Sequence, residues 1–180
     1  RVVGRVESGK FSEGPIQGVT AKPLTVYRDP RGELYEAYRE DELVDGHRPA
    51  MGYVSWSGPG VVRGPHEHLD QADYFVFAGP SDFRVVCWDN RPGSSTFGKR
   101  WEFTAGESQP ASLLVPAGIV HAYENIGKKP GLVLNFPNRL YGGRHRKEAV
   151  DEIRYETIKD APFVMTKSVK KAKKTVNRKK

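Results

Sequence analysis

Short apolar stretches separated by glycine, proline and small polar residues recur along most of the chain. Within several of them apolar and polar side chains alternate, which is typical of a half-buried strand. Nine stretches predict β-strands, at residues 18–27, 33–39, 51–56, 74–78, 83–88, 100–104, 112–115, 121–125 and 132–136. Residues 144–160 instead place apolar side chains at helical spacing and predict one short C-terminal helix. Many short strands with turn signals indicate an all-β fold, a double-sheet jelly roll.

The length of the chain predicts a single domain. Its 180 residues can bury a sizeable core, and the 19 glycines and 13 prolines fit strands joined by tight turns. No apolar stretch approaches the roughly 20 residues that a membrane span requires, and no signal peptide is predicted. The single cysteine, Cys87, excludes an internal disulfide, and cytoplasmic residence is the expected location.

The positive charge is concentrated at the C-terminus. The net charge is +7, from 29 Lys and Arg against 22 Asp and Glu. Residues 167–180 hold eight of the basic residues and no acid, so residues 1–166 carry about −1. We therefore expect a single domain over 1–166 and a disordered basic tail over 167–180. A like-charged tail could contact anionic polymers, but it lacks aromatic residues for base stacking, so no nucleic-acid partner is expected for the domain.

Histidines at metal-ligand spacing lie in two segments far apart in the sequence. His66 and His68 are two residues apart, so on one strand both imidazoles point to the same face. Asp73 follows after a short polar turn, and His121 lies on a second strand, after a Pro-x-Gly turn. Together these residues form a ligand set that suits divalent Fe, Mn, Zn, Ni or Cu. The alternative is that they are polar groups of a barrel that binds no metal.

These two segments resemble the paired signature motifs of the cupin superfamily, which line one small β-barrel. Asp73 stands where a glutamate is usual, and Gly106 precedes Pro116 by ten residues, which is a loose match to the second motif. The resemblance implies a cupin jelly roll, or double-stranded β-helix, with an active site inside the barrel.

Four further segments carry a closer resemblance, which covers about residues 18–160. They are Asp29-Pro-Arg31-Gly32 with Glu36, the strand from Gly60 to His66, the loop from Asp89 to Lys99, and the turn from Val115 to Tyr123. Together they resemble the dTDP-4-dehydrorhamnose 3,5-epimerase family of nucleotide-sugar isomerases. The resemblance implies a nucleotide-sugar or related carbohydrate substrate, a homodimer and no organic cofactor.

The resemblance also implies roles for individual residues. His66 would be the general base that removes a proton beside the keto group of the sugar, as a neutral imidazole with a pKa near ~6.5 can do. Arg31 and Arg63 would hold diphosphate or developing negative charge, because a guanidinium suits phosphate. The expected catalytic residues are His66, Arg63, His121 and Tyr141. The expected substrate-binding residues are Arg31, Glu36, Arg63, Asp89, Lys99 and Asn135.

Three positions depart from the family pattern. No lysine occurs between His66 and Arg84, where the family places the one that supports the enolate oxygen. The general-acid tyrosine of the family aligns with Asn135. The aspartate that orients the base aligns with Thr157, beside Glu156 as a substitute.

These departures leave three functions open. The first is a nucleotide-sugar epimerase or isomerase in which a metal held by His66, His68, Asp73 and His121 polarises the keto oxygen. If His66 is a ligand, another group such as Tyr123 or Glu67 would have to move the proton. The second is a metal-dependent cupin, an oxygenase or isomerase, that acts on another small molecule. The third is a sugar-binding cupin without turnover.

Overall fold

The computed structural model describes residues 10–44 and 46–166, which form two sheets around an apolar core. The basic tail predicted for residues 167–180 lies outside the described residues. The strands are β1 Ser12–Glu13, β2 Thr20–Pro23, β3 Val26–Asp29, β4 Gly32–Tyr35, β5 Tyr53–Ser57, β6 Val62–Glu67, β7 Asp73–Gly79, β8 Asp82–Asp89, β9 Lys99–Gly106, β10 Ala111–Val115, β11 Ile119–Asn125, β12 Gly131–Asn135 and β13 Ile153–Arg154.

The two main sheets have the interleaved strand order of a jelly roll. One has six strands in the order β1-β9-β8-β11-β6-β13, and the other has five in the order β2-β10-β7-β12-β5. Strands β3 and β4 form a separate hairpin. The predicted all-β double-sheet fold is therefore confirmed. Among the residues described, no helix is long and apolar enough to cross a membrane.

The main core lies between the two sheets and is largely aromatic and branched. Phe75 and Phe77 of β7 pack towards Phe83 and Tyr123 of the facing sheet, with ring centroids 5.6 to 5.9 Å apart. A second cluster covers the outer face of the six-stranded sheet, where Trp88 contacts residues of the C-terminal segment. Because β8 is buried on both faces, its residues 85–88 form a continuous apolar run instead of alternating with polar residues.

The predicted C-terminal helix over residues 144–160 is wrong. The segment contains two 3₁₀ turns, Arg144–Arg146 and Tyr155–Thr157, and the strand β13 between them. His145 and Arg146 have φ values of 57° and 58°, which a right-handed helix cannot contain. Further on, β13 pairs with β6, so its backbone hydrogen bonds go to another strand. Of the apolar residues that suggested a helix, Ile153 packs against the second cluster, whereas Val150 and Ile158 are exposed.

The first predicted strand, over residues 18–27, is divided into two. Pro23 ends β2 because proline has no backbone N–H to continue the ladder. The chain then leaves the five-stranded sheet and enters the β3–β4 hairpin, whose side chains are mostly exposed. The strand predicted over residues 33–39 is correspondingly shorter and ends at Tyr35.

Candidate active site

Strand pairing brings the two histidine segments together between the sheets. His66 on β6 lies directly opposite His121 on β11. Residue 68 follows immediately after β6, and Asp73 begins β7 in the facing sheet. The four predicted metal ligands thus come from both sheets, although up to 55 residues separate them in the sequence.

The four side chains form one compact cluster. The Oδ2 atom of Asp73 lies 3.1 Å from Nε2 of His68 and 3.3 Å from Nε2 of His121. The ring centroids of His66 and His121 are 4.3 Å apart. One potential ligand atom from each residue lies within 4.8 Å of all the others. The cluster predicted from spacing is therefore present as a group of side chains that could hold a metal ion.

Three of the four side chains are oriented by hydrogen bonds made by the atoms that face away from the centre of the cluster. Nδ1 of His68 contacts the backbone oxygen of Asp151, and Nδ1 of His121 lies 3.1 Å from the backbone oxygen of Ile119. An Nδ1–H that donates to a carbonyl leaves the lone pair of a neutral ring on Nε2. The Oδ1 atom of Asp73 accepts from the side-chain amides of Gln71 and Asn135, at 2.9 and 3.0 Å. Such contacts are typical of metal ligands.

The inner atoms of the cluster are buried without hydrogen bonds. Oδ2 of Asp73 and Nε2 of His121 have no hydrogen-bond partner among the described residues, although they face each other. Metal–ligand distances of ~2.0–2.2 Å in a tetrahedral site would separate the ligand atoms by roughly 3.4 Å. The separations of 3.1 and 3.3 Å are close to that value. The residues present therefore fit a small divalent cation.

The electrostatics of the cluster differ between its histidines. Burial, together with the neighbouring His121 and His68, lowers the pKa of His66 well below its usual value. Burial alone would lower the pKa of His68, but Asp73 and the Asp151 carbonyl raise it to about 9. Burial would raise the pKa of Asp73, and contacts with His121 and His68 hold it well below its usual range instead. At pH 7, His66 is therefore neutral, Asp73 is ionised, and His68 carries a proton that a bound metal would have to displace.

A cavity of about 1260 Å³ opens onto this cluster. Its volume exceeds the ~300–1,000 Å³ of a typical small-molecule site. The side chains of His66 and His68 line it together with three tyrosines and several arginines, which include Tyr53, Tyr123, Tyr141, Arg63, Arg139, Arg144, Arg146 and Arg154. The cavity therefore combines a candidate base with cationic groups and hydroxyl groups.

Some predicted site residues meet at this cavity. His66, Arg63 and Tyr141 line it, and the buried residues His121 and Asn135 belong to the cluster behind it. Arg63 is oriented by hydrogen bonds from Nε to Ser57 and from Nη2 to the backbone of Trp56, both at 2.9 Å.

Other predicted substrate-binding residues do not line the cavity of this chain. Arg31 is exposed on the β3–β4 hairpin and forms an ion pair with Asp29, and Glu36 is exposed just after β4. Asp89 is buried within a turn where it accepts hydrogen bonds from Arg91, and Lys99 begins β9 beside β1. Their predicted roles in binding substrate stay predictions.

The sequence did not predict two residues of the site. One residue that was considered as a proton carrier lies outside the site. Tyr53 lines the cavity, and Asp151 accepts hydrogen bonds from three successive backbone N–H groups that begin at Leu69. Alternation along the predicted strand 51–56 could have placed Tyr53 on the inner face, but nothing local indicates the contact of Asp151. Glu67, considered as a proton carrier, lies on the outer face of β6 and bonds to Tyr155.

Fold and site together define a cupin-type barrel, because two facing sheets of a jelly roll project histidines into a cavity between them. Residues 13–146 match the protein family described as dTDP-4-dehydrorhamnose 3,5-epimerase. The chain belongs to this family. The resemblance predicted from sequence motifs is confirmed.

Two curated relatives support this membership. The chain is 36% identical over 127 residues to the probable low-salt glycan biosynthesis epimerase Agl13 of Haloferax volcanii, covering 70% of this chain and 81% of that protein. It is 35% identical over 128 residues to the spore coat polysaccharide biosynthesis protein SpsL of Bacillus subtilis, covering 70% and 82%.

Solved structures agree on the fold. The dTDP sugar isomerase of Desulfovibrio desulfuricans G20 superposes with a TM-score of 0.70 at 21% identity, covering 83% of this chain and 91% of that one. The family match and the two curated relatives confirm an epimerase or isomerase type of function in carbohydrate biosynthesis. They do not favour a cupin that acts on another small molecule or a sugar-binding protein without turnover.

Proposed function

We propose that the cavity binds a nucleotide-linked keto sugar and that His66 removes a proton from the carbon beside the keto group. The observation that supports this most directly is the freedom of the His66 imidazole. It faces the cavity, it is neutral at pH 7, and it makes no hydrogen bond with any described residue. A neutral imidazole in contact with a substrate cavity can act as a general base.

Arginines of the cavity wall supply the charge that a diphosphate requires. Arg63, Arg144 and Arg146 line the cavity, and none of them has an ion pair among the described residues. An unpaired guanidinium can bind phosphate through two parallel hydrogen bonds. We propose that these three arginines bind the diphosphate while the sugar extends towards His66.

The experiment for this proposal follows proton exchange. The chain is incubated in D₂O with dTDP-4-dehydrorhamnose, and with UDP- and GDP-linked 4-keto-6-deoxy sugars, and deuterium uptake beside the keto group is measured by NMR. Wild type should incorporate deuterium into at least one of them, and His66→Gln should be slower by about 10²–10⁴-fold. Arg63→Gln should mainly weaken binding. Undiminished exchange in His66→Gln would contradict the assignment of the base.

We further propose that His68, Asp73 and His121 hold a divalent transition metal and that His66 stays off it. The first three are each fixed by hydrogen bonds on their far side, and their inner atoms converge. Three protein ligands with one open position are typical of catalytic metal sites. When bound, the metal would polarise the keto oxygen, for which the family lysine is missing here. Epimerases of this family need no metal, so such a centre would be a departure from the family pattern.

Metal analysis separates the ligands from the base. The purified protein, and the protein reconstituted with Zn²⁺, Mn²⁺, Fe²⁺, Ni²⁺ or Cu²⁺, should contain about one equivalent of metal. His68→Gln should lose the metal, whereas His66→Gln should retain it. A protein that binds none of these ions after reconstitution would remove the metal from the proposal and leave the base assignment standing. Loss of metal in His66→Gln would restore His66 to the ligand set.

We also propose a homodimer formed through the outer face of the five-stranded sheet. Val54 and Trp56 on its edge strand β5 are 54% and 55% exposed, although both are large and apolar. An exposed apolar face of this kind is typical of a subunit interface. Light scattering should give twice the chain mass of 20.2 kDa, and Trp56→Glu should give a monomer. A monomeric wild type would contradict the proposal.

Cytoplasmic residence stays a prediction.

A further inference from the structure

Tyr53 occupies a special position among the three tyrosines that line the cavity. It lies on β5 directly opposite Asn135 on β12. Asn135 is the residue that aligns with the missing general-acid tyrosine of the family. The Oη atom of Tyr53 accepts a hydrogen bond from Nδ2 of Asn135 at 2.9 Å. A tyrosine hydroxyl is therefore held beside the altered position, but it comes from the neighbouring strand.

Asn135 holds this hydroxyl in one orientation. Its Oδ1 atom accepts the backbone N–H of Tyr74 at 3.1 Å, which fixes the amide so that Nδ2 is the donor. The same Nδ2 also donates to Asp73 at 3.0 Å. Since Tyr53 Oη receives a proton from Asn135, its own hydrogen points elsewhere. Among the described residues it has no acceptor, so it is available to a molecule in the cavity.

The other two tyrosines lack this combination. Tyr123 is only 4% exposed, and its hydroxyl pairs with Oγ of Ser55 at 3.0 Å. The ring of Tyr123 is enclosed by the phenylalanines of the core, Phe75, Phe77 and Phe83. Tyr141 is 54% exposed, and no described hydrogen bond orients its hydroxyl.

We propose that Tyr53 donates the proton that completes the epimerisation, and this proposal rests on the proposed function. After His66 has taken the proton from the carbon beside the keto group, the Tyr53 O–H bond breaks and a new C–H bond forms at that carbon. The enolate electron pair makes the new bond and the carbonyl is restored. Tyr53 is left as a phenolate, which takes a proton back from water, while His66 releases its proton to water.

Two properties of Tyr53 suit this role. Burial of the hydroxyl and the negative charge of Asp73 raise the pKa of Tyr53 above its usual value, so the phenol is protonated at neutral pH. Tyr53 also lines the cavity, so water in the cavity can reach its hydroxyl between turnovers.

The experiment separates proton removal from inversion. Tyr53→Phe, Tyr123→Phe and Tyr141→Phe are incubated with dTDP-4-dehydrorhamnose and the UDP- and GDP-linked 4-keto sugars in D₂O. NMR then follows deuterium uptake and the configuration at the labelled carbon. Tyr38→Phe is the matched control, because Tyr38 packs on Phe136 and does not line the cavity. Each change removes one hydroxyl, and thermal melts verify that each variant is folded.

We expect Tyr53→Phe to exchange deuterium within about threefold of the wild-type rate while inversion falls by about 10²–10⁴-fold. His66 would then return deuterium to the face from which it removed the proton. Inversion at the wild-type rate in Tyr53→Phe would overturn the proposal, as would loss of inversion in Tyr123→Phe or Tyr141→Phe alone. If the wild-type chain exchanges none of these sugars, the proposed function fails and this proposal fails with it.

Discussion

Two buried aspartates, Asp73 and Asp89, show how differently this fold uses the same side chain. Asp73 begins β7 and is 1% exposed, and Asp89 ends β8 and is fully buried. Both oxygens of Asp89 are saturated by donors from the adjoining turn, which are Arg91, Ser94 and Thr96. Asp73 has two donors on Oδ1 and none on Oδ2, which faces two histidines instead.

The two carboxylates differ in where their hydrogen-bond donors come from. The donors to the Asp89 carboxylate all lie within seven positions of it in the sequence, so this carboxylate needs no donor from outside its turn. Asp73 is surrounded by residues from four strands or loops, and its inner oxygen remains open next to a cavity. A buried polar atom without a partner costs free energy, so such an atom beside a cavity indicates a ligand. Asp89 therefore stabilises the fold, and we infer that Asp73 serves the chemistry.

The largest expected effect is on activity, in Asp73→Asn. The amide keeps Oδ1 for Gln71 and Asn135 and can donate to Nε2 of His121, so the free energy of unfolding should change by less than about 1 kcal/mol. Deuterium exchange and metal affinity should each fall by at least about 100-fold, more than for loss of an outer contact. Metal analysis and chemical denaturation measure the two effects. If Asp73→Asn is stable and fully active, Asp73 does not serve the chemistry, and the proposed difference in role between Asp73 and Asp89 is wrong.

For Asp89→Asn we expect the protein to lose stability but to keep most of its activity. Oδ2 of Asp89 accepts from Arg91, Ser94 and Thr96, and an amide nitrogen in its place cannot accept from any of them. The free energy of unfolding should fall by about 2 kcal/mol, which lowers the Tm by roughly 4–8 °C for a chain of this size. Exchange activity measured well below the Tm should stay within about threefold. Loss of activity without loss of stability would support the binding role predicted for Asp89 instead.

The pH dependence of stability provides a second test of the Asp89 turn. Burial alone would raise the pKa of Asp89, but hydrogen bonds from Arg91, Thr96 and Ser94 lower it to about 2 from 3.8. The resulting stabilisation is present above pH 3.8 and is lost as the pH falls towards 2, because the unfolded chain binds the proton first. The difference in unfolding free energy between wild type and Asp89→Asn should therefore shrink between pH 4 and 2. A constant difference would contradict the low pKa.

A smaller effect is expected for Gln71→Ala. This change removes one of two donors to Oδ1 of Asp73 and leaves Asn135 in place. Metal affinity should fall about tenfold, the lower end for loss of an outer contact. Gln17→Ala is the matched control, because Gln17 accepts from Ser95 beside the Asp89 turn and should leave metal affinity unchanged. Equal losses in the two variants would indicate a general effect on the fold.

The sequence predicted the sheets better than the segments that cover them. Strand patterns are local, so alternation and turn residues locate β5, β7, β8, β10, β11 and β12 within a few residues. The C-terminal segment was predicted to be helical because Val150, Ile153 and Ile158 have helical spacing. Its actual conformation depends on pairing with β6 and on the contact of Tyr155 with Glu67, and neither is visible in local sequence.

The candidate site divides in the same way. The grouping of His66, His68, Asp73 and His121 could be predicted, because two residues share a strand face and the others follow recognisable turns. The sequence could not predict that the His66 imidazole lacks a hydrogen bond with any described residue while the other three side chains are oriented by hydrogen bonds. Two of those hydrogen bonds come from residues distant in the sequence, the backbone of Asp151 and the side chain of Asn135. Tyr53 was missed because its importance arises only from the strand that pairs with it.

The hydrogen bonds of Asp151 also limit how early the side chains of the site can be held in place during synthesis of the chain. Its carboxylate binds the backbone of residues 69–71, and its carbonyl contacts His68, which lies 83 positions earlier in the chain. Chains emerge from the ribosome N-terminal end first, and contacts between distant positions close late. On a nascent chain, His66, His68 and His121 are synthesised before Asp151. The orientation of His68 by a hydrogen bond therefore waits until residue 151 has been synthesised.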